Sequence, residues 1–91
     1  MDTVVLINRA HAETAFKLAE EINKDGSEVH MLFVGRGTHY LNYDDILKQL
    51  SFSKIYTFAT ELDSTNQQIQ AISYDEFIRI LEKCERTFTW I

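Results

Sequence analysis

Proline is missing from this chain altogether, and cysteine and glycine are sparse, with one Cys and three Gly. A chain without proline favours short, regular connections over long structured loops. A single cysteine, Cys84, excludes an internal disulfide framework, and a reducing, cytoplasmic setting is expected. Long apolar runs are absent as well. The first such run, Val4–Ile7, is four residues long and follows Asp2, which is too short and wrongly flanked for a signal peptide. No stretch approaches the roughly 20 apolar residues that span a bilayer. Positive charge is the last scarcity: nine Lys and Arg stand against fourteen Asp and Glu, a formal net charge of −5. The cations are scattered along the chain, which argues against direct binding of nucleic acid or of an anionic membrane.

What remains is ordinary globular composition, 45% apolar and 25% charged over 91 residues. That length makes one domain, residues 1–91. A domain of this size buries only about 60–65% of its surface, so its stability margin is thin and self-association would help it.

The pattern alternates between two periods. Thr3–Asn8 is a β-branched and apolar run without alternation, as in a parallel strand buried on both faces. Ala12, Ala15, Phe16, Ala19 and Ile22 then recur at helical spacing, giving an alanine-rich face suited to close packing on a sheet. Glu13 falls in the first turn, and Gly26 is a candidate left-handed cap. Val29–Val34 is a second buried strand, broken at Gly35-Arg36-Gly37. A second helix is expected to start between Thr38 and Asp44. Asn42, Asp44 and Asp45 supply its N-terminal chemistry, and Tyr43, Ile46, Leu47 and Leu50 its apolar face. Ser53–Ala59 reads as a third strand, Thr60–Gln68 as a loop and Ile69–Ile72 as a short fourth strand.

Ser73 and Glu76 make a capping box. It opens a helix that runs to about Glu85, with Phe77, Ile80, Leu81 and Cys84 on one face. The alternating aromatic end Thr87–Ile91 suggests a last strand. Strands alternating with helices give an α/β fold, a three-layer α/β/α sandwich around a mostly parallel five-stranded sheet. Right-handed crossovers would bring the loops Asn8–His11, Gly35–His39 and Ala59–Asp63 to one edge.

Candidate chemistry gathers at that edge. Gly35 and Gly37 either cradle an anion with backbone N–H groups, helped by Arg36 and Arg9, or simply make a tight strand-to-helix turn. The stretch is neither a dinucleotide fingerprint, since Tyr40 stands where a third glycine would, nor a phosphate loop with lysine and serine. His11 and His39 follow strands on the same edge. They offer acid–base chemistry, or are surface histidines of no special role; no third ligand at metal-like spacing accompanies them, so no metal and no cofactor is expected. Glu61 and Asp63 follow the third strand. His30 lies within a strand and reads as a hydrogen-bonded structural residue. Cys84 is the only thiol, and its place on the apolar stripe near a helix C-terminus favours a structural role over a nucleophilic one. Phe88 and Trp90 share one face of the last strand, where they either cover the sheet or meet a partner.

Two motifs resemble a known family. Ile72-Ser73-Tyr74-Asp75-Glu76-Phe77-Ile78-Arg79-Ile80-Leu81, closing on Trp90, resembles the C-terminal signature of the DsrH/TusB family, in which a short strand, a Tyr-x-x-Phe helix and a terminal Trp end the domain. Gly37 matches the glycine of that family's Asp-Gly turn, with Arg36 in place of the Asp. The family is the smallest branch of the DsrE/DsrF/DsrH sulfur-relay proteins. The resemblance implies a DsrEFH-like sandwich, partnership with DsrE-like and DsrF-like subunits, and a part in passing persulfide sulfur. The destination would be 2-thiouridine at the tRNA wobble position, or the route one of sulfur oxidation. Where members carry a cysteine it lies on the first helix; here that helix offers Ala15, Phe16, Lys17, Leu18 and Ala19, and Cys84 does not match. A subunit without catalytic activity of its own is what this implies. A small-ligand or anion-binding module built on Arg36, His11 and His39 is the alternative.

Overall fold

The computed structural model describes residues 2–58 and 68–90. Glu61, Asp63 and the predicted loop that carries them lie outside the described residues. Five strands are present: β1 (Asp2–Ile7), β2 (Glu28–Phe33), β3 (Lys54–Phe58), β4 (Ile69–Ile72) and β5 (Arg86–Trp90). Three α-helices are interleaved with them, α1 (Glu13–Lys24), α2 (Asp44–Gln49) and α3 (Tyr74–Lys83). The strands run in the order β4-β3-β2-β1-β5, and every pairing among the described residues is parallel. Successive strands step from β1 to β4 in one direction, and β5 then returns to the far side of β1. The reversal makes the β1–β5 boundary a topological switch point, the place where open α/β sheets hold ligands at the carboxyl ends of their strands.

Side-chain alternation sorts the core into two layers. Val5, Ile7, Val29, Met31, Phe33, Ile55 and Ile69 point to the face covered by α1 and α2. The small side chains Ala15 and Ala19 let α1 lie close, and Phe16 fills the layer, 4.8 Å from Tyr40 in an edge-on contact and 6.1 Å from Phe33. Leu32, Tyr56 and Ile72 point to the other face, where Phe77 and Ile80 of α3 cover them together with Leu6, Val34 and Phe58. The capping box is formed: Glu76 N–H donates to Ser73 Oγ at 3.2 Å, and Ser73 N–H to Glu76 Oε1 at 3.3 Å.

Two local expectations are corrected, and one is narrowed. The second helix starts at Asp44, the far limit of the expected range, because residues Gly35–Asn42 form a 3-10 segment ahead of it. Gly35 enters it at φ +52°, Thr38 Oγ1–H bonds back to Gly35 O at 2.7 Å, and Tyr40 and Leu41 anchor it in the core. Asn42 is not a cap; Tyr43 stands at that position in extended backbone with no side-chain bond. The third helix stops at Lys83, with Cys84 already extended, because Glu85 N–H donates to Asp2 O at 2.9 Å and starts the β5–β1 ladder. Its apolar stripe is half-buried rather than buried: one helix covers that whole sheet face among the described residues.

Candidate functional site

Asn8, Arg9, Ala10 and His11 from the loop after β1, with Gly35 and Arg36 after β2, line a cleft of about 480 Å³. The cleft lies on the carboxyl edge of the sheet, at the ends of β1 and β2. Glycine is required twice here, at Gly35 in the lining and at Gly37 behind it. A side chain at Gly37 would strike the carbonyl oxygen of Ile7, and one at Gly35 would strike the amide of Asn8. The two arginines are exposed and give the cleft a positive rim.

The loop wall is held from both sides. Tyr40 Oη accepts the Ala12 N–H at 2.9 Å and donates to Glu13 Oε1 at 3.2 Å. It thereby serves the start of α1, whose N-cap residue Ala12 has no side chain to do so. Burial pushes the Tyr40 phenol up, the Ala12 N–H opposes this and the Glu13 carboxylate adds to it. Glu13 is held below the usual carboxylate value, first by its own backbone N–H. Burial opposes that lowering, and the Tyr40 hydroxyl and His11 reinforce it. His39 Nε2–H donates to Ala10 O at 2.7 Å, with its ring against Tyr40 at 4.0 Å. On the opposite side Trp90 Nε1–H donates to His11 O at 3.0 Å, and Asn8 N–H to Trp90 O at 2.8 Å.

Of the residues singled out in the sequence, Arg9, His11, Gly35 and Arg36 therefore come together at the cleft. His39 and Gly37 support it from behind. Trp90 packs against the main core and bonds the loop, while Phe88 stays 36% exposed on the same edge strand. Tyr40 was not singled out for this role; a tyrosine at helical spacing gives no sign that its hydroxyl meets a helix start 28 residues away.

Cys84 lies elsewhere. The amino ends of β1 and β2 are about 17 Å from the cleft, five residue rises along a strand. There Asp2, His30 and Cys84 converge, one donor atom from each lying within 4.8 Å of the others. His30 is buried and stacks on Tyr56, its Nδ1 3.1 Å from the Tyr56 hydroxyl. Its Nε2 is buried without a hydrogen-bond partner, 3.5 Å from Asp2 Oδ2. Burial pushes the Cys84 thiol up, and the carboxylates of Asp2 and Glu28 push it further. Glu28 is paired with Lys54 at 2.9 Å, a bond that raises the lysine ammonium. His30 is thus hydrogen-bonded within the fold as expected, but at one nitrogen only. Separations of 28 and 54 residues gave no hint of the cluster.

No helix among the described residues is long and apolar enough to cross a membrane. No family model matches the chain, and no curated protein matches it in sequence. Structure reaches further than sequence here. The chain shares its fold with the ychN protein from E. coli, whose crystal structure it resembles with a TM-score of 0.81 at 11% identity over 99% of both chains.

Proposed function

We propose that this chain is a subunit of a sulfur-relay assembly of the DsrE/DsrF/DsrH kind, a DsrH/TusB-like member with no catalytic step of its own. The observation that carries the reading is the end-to-end likeness to ychN, a protein of DsrEFH-type fold. The DsrH/TusB-like signature from Ile72 to Leu81 adds to it, as does the terminal Trp90. A supporting role follows from the chemistry. The first helix, where family members that carry a relay cysteine place it, has none here, and Cys84 sits at the opposite edge of the sheet under conditions that disfavour a thiolate.

Partner contact is the role left for the surface. Tyr43, Tyr74, Ile78 and Phe88 are exposed apolar side chains, and β5, which carries one of them, is an edge strand with an open side among the described residues. Arg9 and Arg36 would suit an anionic group presented by a partner at the cleft. Affinity purification from the native host should recover DsrE-like and DsrF-like subunits, or copies of this chain, in defined stoichiometry. Recovery of a lone monomer would reject the reading. Deleting the gene separates the two pathways: loss of 2-thiouridine from tRNA hydrolysates marks tRNA thiolation, and loss of growth on reduced sulfur marks sulfur oxidation.

A further inference from the structure

We propose that Asp2, His30 and Cys84 form a binding site for a divalent transition-metal ion, zinc(II) being the ion that the donor set fits. The three residues come from β1, β2 and the turn between α3 and β5, and their donor atoms converge on one point. That convergence separates the cluster from a nucleophile–histidine–carboxylate relay. A relay places the nucleophile and the carboxylate on different nitrogens of the imidazole. Here Nδ1 is taken by Tyr56, and the carboxylate approaches Nε2, the nitrogen that has no hydrogen-bond partner.

The geometry suits a tetrahedral ion. Bonds of about 2.0–2.3 Å to N, O and S imply donor-to-donor edges of roughly 3.3–3.6 Å. The 3.5 Å between His30 Nε2 and Asp2 Oδ2 is already such an edge, too long for a good hydrogen bond. The thiol needs to close in from within 4.8 Å. The support behind the ligands is in place as well. Tyr56 stacks on the imidazole with its plane 11° away, and its hydroxyl accepts the Nδ1–H that a metal-bound Nε2 tautomer carries. A nitrogen that is buried and unbonded in a fold this small costs stability unless something binds it. A cation also answers the local charge, since the carboxylates of Asp2 and Glu28 both act on the thiol and Lys54 pairs with Glu28. Binding releases the thiol proton to solvent and leaves a thiolate–imidazole–carboxylate set. Asp2 and Cys84 are only half-buried, so the fourth position faces solvent and takes water or an exogenous ligand. The site does not depend on the relay-subunit reading, because it uses this chain's residues alone.

Cobalt(II) is the spectroscopic probe and zinc(II) the competitor, on untagged protein after chelation and dialysis. One equivalent of cobalt should give tetrahedral d–d bands and a thiolate-to-cobalt charge-transfer band, both displaced by one equivalent of zinc. Cys84→Ser should abolish the charge-transfer band and weaken zinc at least about 10-fold. Asp2→Asn should weaken zinc while keeping that band. Both positions are half-exposed, and circular dichroism checks that each variant is folded. Zinc should raise the melting temperature of the wild type and not that of Cys84→Ser. Two results overturn the proposal: no charge-transfer band in the wild type, or equal zinc affinity in the wild type and Cys84→Ser, which would place the ion on other side chains such as His11 and His39.

Discussion

Tyr40→Phe removes one oxygen atom and leaves the packing intact, so its effect is calculable from the structure. The ring keeps its edge-on contact with Phe16 at 4.8 Å and its tilted contact with Phe33 at 6.3 Å. The hydroxyl takes two hydrogen bonds with it, one from Ala12 N–H and one to Glu13. These losses are unequal. Ala12 is 1% exposed, so its N–H is left as a buried donor without a partner, at about 1–3 kcal/mol. Glu13 is exposed and turns to water. A total near 2 kcal/mol corresponds to a fall in melting temperature of about 8–16 °C for a domain of this size. Urea unfolding should show the loss as a lower midpoint with an unchanged slope.

The pH dependence adds a second reading of the same variant. Glu13 is held below its ordinary value of 4.5, so its stabilisation is complete above that pH and is lost as pH falls through the lower folded value. The Tyr40 hydroxyl contributes to that lowering. The gap between wild type and Tyr40→Phe should therefore narrow below about pH 4.5. A variant within about 0.5 kcal/mol of wild type at neutral pH, the range of inert surface changes, would refute the claim that this hydroxyl closes the start of α1.

Other changes test other parts. Gly37→Ala puts a methyl group into the Ile7 carbonyl and should cost about 1–3 kcal/mol in denaturant unfolding; an unchanged midpoint would mean that the 3-10 segment does not press on β1. Arg36→Asp, at an exposed position, should leave stability within about 0.5 kcal/mol while weakening sulfate binding or partner capture at the cleft. Equal binding by the variant would leave Arg36 without a functional role. Metal-free Cys84 should react with iodoacetamide more slowly in the native protein at pH 8 than in denaturant, because burial, Asp2 and Glu28 keep it protonated. Equal rates would show that the thiol is neither shielded nor shifted.

Much of the architecture was legible because local and tertiary preferences agree. The unbroken apolar runs of β1 and β2 marked strands covered on both faces. Ser73 and Glu76 marked a helix start that the structure reproduces bond for bond, and the left-handed Gly26 caps α1 at φ +95°. Residues Gly35–Asn42 were misread because their conformation is set from outside. The Ile7 carbonyl excludes a side chain at Gly37, and the buried Tyr40 ties the segment to α1, neither of which leaves a periodic trace. The cleft edge was legible from chain topology, since loops after parallel strands share an edge, and it brought Arg9, His11 and Arg36 together. The Asp2–His30–Cys84 cluster was not. Each residue had a bland local reading, and only the register of β1 against β2 and the early stop of α3 join them.

Native mass spectrometry of this chain, captured from its host under mild conditions, bears most directly on its role. A sulfur-relay subunit should appear in a discrete complex with DsrE-like and DsrF-like chains, and Tyr74→Ser or Phe88→Ser should dissociate it without unfolding the domain. A single species at the 10.6 kDa mass of the chain, from cells that express those partners, would contradict it.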